Sequence, residues 1–216
     1  MKYDYILWDF NGTILDDVSI GVDSINTLLA RRGLPLLDEW RYRSVFTFPV
    51  VDYYKAIGLD VDGEGFDLLA HEWVAEYRAR EKYARVRTGV CDAIKTFADM
   101  GIPQGILSAT ESRMLIEQTD ALGIGKMFDE IFGSDNIYAE SKSDIAIKFM
   151  CEHDRTPLLI GDTVHDAEAA KTAGMDCILI FGGHQDENRL RKTGLPIFYG
   201  YKELCDYVTK TEDIRV

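Results

Sequence analysis

The sequence has no apolar run of membrane-spanning length, no CxxC pair, no low-complexity tract and no internal repeat. The first absence argues against a helical membrane span, which needs about 20 consecutive apolar residues. Cys91, Cys151, Cys177 and Cys205 stand singly, a spacing that suggests neither a zinc site nor a disulfide framework and fits reduced thiols in a cytoplasmic protein. Positive charge is also scarce: 24 Lys and Arg face 37 Asp and Glu, for a formal net charge of −13. General nucleic-acid and membrane-surface binders need a basic face, so neither partner is expected. An anionic substrate would then require a local positive pocket or a metal. His71-Glu72 lacks the second His of a metalloprotease helix. Met1-Lys2-Tyr3-Asp4 leads directly into a strand-like segment, so no signal peptide is expected.

What is present centres on Tyr5-Ile6-Leu7-Trp8-Asp9-Phe10-Asn11-Gly12-Thr13, an apolar run that ends abruptly in a carboxylate. One reading puts Asp9 at the C-terminal tip of a strand, where α/β proteins bind ligands and where an Asp serves as nucleophile or metal ligand. The other is a β-hairpin, because Asn-Gly between apolar runs is a strong hairpin signal.

Downstream, Ser19 to Arg32 carries Val22, Ile25, Leu28 and Leu29 on one helical face, and Gly33 and Pro35 end it. Residues 36–85 mix aromatics with charges, show helical spacing over Val50–Ile57 and Phe66–Tyr83, and contain no convincing β-rich run. From Thr88 the pattern alternates: strands over Ile102–Leu107, Ile131-Phe132, Pro157–Ile160, Cys177–Phe181 and Ile197–Tyr199, with helices between them. Repeated β-then-α units predict a doubly wound parallel sheet covered by helices on both faces.

Three of these strands end in polar residues: Asp9, Ser108-Ala109-Thr110, and Gly161-Asp162-Thr163-Val164-His165-Asp166. A parallel sheet would bring their tips to one edge. Carboxylates converging there repel one another unless a cation lies between them, and oxygen ligands of this kind suit Mg²⁺. Taken singly, Ser108, Thr110, Asp162 and Asp166 read equally well as helix caps, and Lys142 as a solvated side chain.

Together these segments resemble the haloacid dehalogenase-like hydrolases, and within them the phosphoglycolate-phosphatase-like group. Asp9-Phe10-Asn11-Gly12-Thr13 is similar to the family's first motif and Ile106-Leu107-Ser108 to its second. Lys142 stands where the family has its lysine, and Gly161 to Asp166, followed by Ala169 to Met175, is similar to its fourth motif. The resemblance implies a Rossmann-like core over 1–16 and 86–216 and a small helical cap inserted over 17–85. It implies a Mg²⁺-dependent phosphatase acting on a small phosphorylated metabolite. Asp9 would attack phosphorus to form an aspartyl-phosphate. Mg²⁺ would be held by Asp9, the Asn11 carbonyl and Asp162, with Asp166 in support. Ser108 and Lys142 would bind phosphoryl oxygens, beside Gly12, Thr13 and Ala109. From the cap, Arg43 suits a second anionic group of the substrate, or is simply a surface residue. Phe46 and Phe48 suit a substrate loop or the cap's own core. Hinges are expected near residues 15–17 and 85–87, and His184, after Gly182-Gly183, either faces the site from the fifth strand or, as the favoured reading, lies in a surface loop.

The departure from the family is Asn11, which stands where its phosphatases carry a second Asp that protonates the leaving oxygen and activates water. An amide does neither, and losing general acid–base catalysis costs about 10²–10⁴ in rate. Four readings stay open: a slow phosphatase, a phosphonate-cleaving hydrolase with Lys55 as its Schiff-base lysine, a weak relative that binds a phosphorylated ligand or partner, or an altered position that is natively Asp. On the first, Asn11→Asp alone should raise turnover.

Overall fold

The structure is a computed structural model that describes residues 2–138 and 142–210; residues 1, 139–141 and 211–216 of the expected core lie outside it. In chain order the elements are β1 (Tyr5–Trp8), β2 (Leu15–Asp16), α1 (Val18–Arg31), α2 (Glu39–Val45), α3 (Val50–Ala56), α4 (Val61–Glu64), α5 (Phe66–Arg80), β3 (Arg85–Val86), α6 (Val90–Asp99), β4 (Gln104–Glu111), α7 (Ser112–Ala121), β5 (Glu130–Ser134), α8 (Lys142–Glu152), β6 (Pro157–Gly161), α9 (Val164–Ala173), β7 (Asp176–Ile180), α10 (Glu187–Arg191), β8 (Ile197–Phe198) and α11 (Tyr201–Lys210).

β1 is buried along its whole length, as a central parallel strand covered on both faces must be. It lies inside a six-stranded sheet of order β5-β4-β1-β6-β7-β8, with every pairing parallel. Alternation along the strands sends side chains to two cores. Ile6, Trp8, Ile106, Leu158, Ile160 and Ile178 pack with Val90, Phe97 and Leu204 of α6 and α11. Tyr5, Leu7, Leu107, Leu159 and Leu179 pack with Phe149 of α8 and Ala169 and Ala170 of α9. The Trp8 indole N–H donates to Gln104 Oε1 at 2.9 Å, and Gln104 Nε2 donates to Ile94 O at 2.7 Å, so both buried side chains are satisfied.

The chain runs outward from β1 through β4 to β5, then returns to β6 on the other side of β1. The strand order therefore reverses at β1, and a crevice opens beyond its C-terminal end, the usual ligand position in such sheets. The Asn11-Gly12 hairpin does not form. β1 pairs with β4 and β6, while Ile14 and Leu15 N–H groups turn back onto Phe10 O at 2.8 and 2.9 Å.

Helices α1 to α5 lie between β2 and β3 and share a separate apolar cluster, in which Val22, Ile25 and Leu29 of α1 meet Tyr42, Tyr54 and Leu69. Two of these helices were not expected from the sequence: α4 has only four residues, and in α2 only Tyr42 is buried. The chain leaves and re-enters the core through β2 and β3, which pair antiparallel with Leu15 opposite Val86. No helix among the described residues is long and apolar enough to cross a membrane.

Candidate active site

Asp9 follows β1 directly, and its backbone N–H donates to Ile160 O of β6 at 2.8 Å, which ties the two strand tips together. Asp162 follows β6, and Asp166 lies one turn later on α9. All three acids are buried, and among the described residues they offer carboxylate oxygens within 4.8 Å of one another. Lys142, at the start of α8 and buried as well, places Nζ against Asp9 Oδ1 and at 2.5 Å from Asp166 Oδ1. The lysine expected to be either solvated or functional is therefore fixed between two of the acids.

The acids are held differently. Asp166 Oδ2 accepts from Asp162 N, Thr163 N and Thr163 Oγ1 at 3.2, 2.9 and 2.6 Å, so it closes a capping box on α9 with one oxygen and grips Lys142 with the other. Burial works against its charge, but Lys142 and these donors hold its carboxyl below the ordinary range. Asp162 accepts from Thr13 Oγ1 at 2.9 Å and from His184 N at 2.6 Å. Burial and the neighbouring Asp166 raise the Asp9 carboxyl well above its ordinary value despite Lys142. One lysine thus faces three buried carboxylates, and the donor set of hard oxygens on Asp9 and Asp162 fits a divalent cation.

Space for that approach comes from glycine. Gly12 has a φ of 74°, and a Cβ there would lie 2.4 Å from Asp162 Oδ2; a Cβ on Gly183 would lie 2.0 Å from the same oxygen. Gly12→Ala is expected to displace Asp162 and to lower activity at least about tenfold, because small misplacements of reacting groups carry large costs; turnover close to wild type would show that the loop accommodates the methyl.

A second network surrounds Asn11. Its Nδ2 donates to Asp17 Oδ2 at 2.8 Å and to Tyr77 Oη at 3.0 Å, and its Oδ1 accepts from Thr110 Oγ1 at 2.7 Å. Ser108 Oγ bonds Thr110 Oγ1 at 3.1 Å. Asp17 sits at the N-cap of α1 but does not cap it. It accepts instead from Gly12 N at 3.0 Å, Tyr77 Oη at 2.7 Å and His184 Nε2 at 3.1 Å. A carboxylate that ignores its own helix end and turns inward breaks a local rule, which is where functional demands are expected. His184 is not in a surface loop: it is buried, with Nδ1 at 2.9 Å from Tyr42 Oη. Burial opposes the imidazolium, but Asp17 raises the His184 pKa to about 9; Asp17 is in turn held below its ordinary value against burial by His184.

This pair has a pH signature. Because the folded pKa of His184 lies above its unfolded value, its stabilisation is complete below about pH 6.5 and fades as pH rises through about 9. Breaking a buried pair costs about 3–5 kcal/mol, so His184→Gln is expected to lose that much near pH 6 and progressively less toward pH 10. Thermal unfolding of both proteins across this range checks it; a gap that does not shrink above pH 9 would contradict the pairing.

Asp9, Asn11, Asp17, Ser108, Ala109, Thr110, Lys142 and His184 line one cavity of about 150 Å³ roofed by residues from the segment that carries α2, α3 and α5. Arg43 is not among its walls. Its guanidinium is 2.9 Å from Gly183 O, 3.5 Å from Gly182 O and 3.1 Å from Glu39, so the arginine expected either to meet substrate or to lie free at the surface instead ties α2 to the loop after β7. Lys55 is also outside the cavity; half-exposed on α3, it lies 3.4 Å from Asp62, which does not fit a Schiff-base role. Gly12 N–H is turned to Asp17 and Leu15 O, and Thr13 Oγ1 to Asp9 and Asp162, so both position acids.

The model of the haloacid dehalogenase-like hydrolase family matches residues 6–180. The chain belongs to that family. It falls with the phosphoglycolate-phosphatase-like group of these hydrolases. It is 25% identical over 189 residues to a phosphoglycolate phosphatase from Pseudomonas syringae, covering 83% of this chain and 70% of that one. To a phosphoglycolate phosphatase from Chromobacterium violaceum it is 23% identical over 195 residues, covering 86% and 88%. The fold is shared with a haloacid dehalogenase-like family hydrolase from Streptococcus pneumoniae, with a TM-score of 0.80, 20% identity and 96% and 99% of the two chains covered. It is shared too with CbbY from Rhodobacter sphaeroides in complex with phosphate, at a TM-score of 0.70, 19% identity and coverage of 94% and 96%. This hydrolase differs from the expectations drawn from its motifs chiefly in Asp17, Tyr77 and His184. None lies in a motif, and only their convergence on Asn11 and Asp162 marks them.

Proposed function

We propose that this hydrolase cleaves small phosphomonoesters through an aspartyl-phosphate on Asp9, using Mg²⁺. The observation that carries the proposal is the packing of Asp9 against a buried lysine and two further buried carboxylates at the reversal point of a parallel sheet. In this reading Asp9 attacks phosphorus, while Ser108 Oγ and Lys142 Nζ orient the phosphoryl oxygens and take up developing charge. Asp166 holds Lys142 in place. Asp9, Asp162 and the Asn11 carbonyl would hold the Mg²⁺, which supplies the positive charge that one lysine leaves wanting. The helices from 17 to 85 act as a cap that excludes water, moving about the β2–β3 crossing.

Asn11 makes the enzyme slow. Its amide cannot protonate the leaving oxygen or activate water, so substrates whose leaving group needs little protonation are favoured. Phosphate release from an aryl phosphate is expected to need Mg²⁺, to stop on chelation and to return on adding Mg²⁺ back. Release unaffected by chelator would contradict the metal reading. No release in any condition, with retained binding of a phosphorylated ligand, would turn the reading toward a binding protein.

A further inference from the structure

The proposed hydrolase reading leaves open what the phosphate is attached to, and the cavity carries evidence on that. Above the acids its walls are aromatic: Phe46, Phe48, Tyr53, Tyr54, Phe66 and Trp73 all come from the cap segment and line the same space as Asp9 and Lys142. Phe48 stacks on His165 of the core at 4.3 Å between ring centres, which closes the wall against the sheet edge.

The charge inventory points the same way. Among the described residues, the only cationic side chains on the cavity wall are Lys142 and His184. Lys142 is taken by Asp9 and Asp166, and His184 by Asp17 and Tyr42. Asp9, Asp17 and Glu111 also line the cavity. The arginines along the cap–core seam are turned to backbone carbonyls: Arg43 to Gly183 O, Arg87 to Gly12 and Phe181 O, and Arg189 to Phe46 O. Once a phosphate is bound at Lys142, no cationic side chain among the described wall residues is left for a second anionic group. A carboxylate placed among these rings would be desolvated without a partner, at high cost. One polar opportunity remains: Tyr53 Oη is buried with no hydrogen-bond partner, and buried hydroxyls normally have one.

We infer that the phosphorylated ligand of this site carries an uncharged, aromatic or similarly flat apolar group, seated among the cap rings, with at most one neutral polar atom reaching Tyr53. The inference rests on the hydrolase reading for its phosphate end and on the cavity wall for the rest. It sets this chain apart from the substrate named in its relatives, whose second group is a carboxylate.

The test compares benzyl phosphate with 2-phosphoglycolate and glycerol 2-phosphate in the wild-type enzyme with Mg²⁺. All three have alkoxide leaving groups, so intrinsic lability does not decide the order. Benzyl phosphate is expected to show at least a tenfold higher kcat/KM, the scale on which apolar pockets discriminate. Trp73→Ala should narrow that ratio, lowering kcat/KM for benzyl phosphate more than for the glycerol ester. Equal or better turnover of 2-phosphoglycolate overturns the inference and leaves the hydrolase reading standing. A binding arm separates the two: calorimetry of Asp9→Asn with 2-phenylethylphosphonate and 3-phosphonopropionate. If no ester is cleaved but the phenyl phosphonate binds at least about tenfold tighter, the hydrolase reading fails and the inference holds. If neither phosphonate is preferred, the inference fails.

Discussion

Asp9→Asn is expected to lower phosphate release roughly 10⁴- to 10⁶-fold, the scale of deleting a nucleophile, without destabilising the fold. The amide keeps the shape of the side chain but has no attacking oxygen anion. Stability should not fall, because burial and the neighbouring Asp166 and Asp162 already disfavour the Asp9 carboxylate. Removing its charge leaves Lys142 paired with Asp166 at 2.5 Å and relieves repulsion among three buried acids. Steady-state phosphate release and the thermal midpoint of the metal-free protein check the two halves separately. Activity within tenfold of wild type would remove Asp9 from the role of nucleophile. A clear loss of thermal stability would mean that its contact with Lys142 outweighs the repulsion.

Exchanging two residues, Asn11→Asp together with Asp17→Asn, is expected to raise turnover about 10²- to 10⁴-fold, the usual yield of a positioned acid–base group. The single change Asn11→Asp should give far less. From the sequence alone that single change looked sufficient. The structure gives a reason to expect less of it: Asn11 Nδ2 donates to Asp17 at 2.8 Å, so a carboxylate at position 11 would face another at hydrogen-bonding distance. Such a pair keeps a proton between its members or moves apart, and either response spoils the group it was meant to supply. The double exchange restores one amide and one carboxylate, with the donor on the other side. It also removes the counter-charge of His184, whose pKa should then fall from about 9. Rates and melting temperatures of the wild type, the single and the double variant decide it. A single variant as fast as the double would show that Asp17 imposes no constraint. No gain in either would show that Asn11 does not limit the reaction.

Much of this molecule could be read from its chain. The apolar run Tyr5–Trp8 ending in Asp9, the alternating units after Thr88 and the Gly161-Asp162 turn determined the parallel sheet and the positions of its strand tips, because periodicity and strand-end chemistry are local properties. The turn at Asn11-Gly12 was ambiguous locally; pairing of β1 with β4 and β6 on both sides removed the hairpin, since a central strand has no edge left for it. The four-residue helix α4 gave no signal because it carries barely one turn, and the charged stretch of α2, of which only Tyr42 is buried, shows no apolar face to read.

What only the tertiary structure decided is which polar side chains face one another. Asp17 reads as part of a hinge and His184 as a loop residue, yet 167 positions apart they meet at 3.1 Å, and both answer to Asn11 or Asp162. Arg43 reads as a substrate contact or a surface residue and is bound to carbonyls of the core instead. Charge type is written in the sequence; the partner that fixes, neutralises or opposes it is set by folding, because electrostatic effects depend on distance and burial.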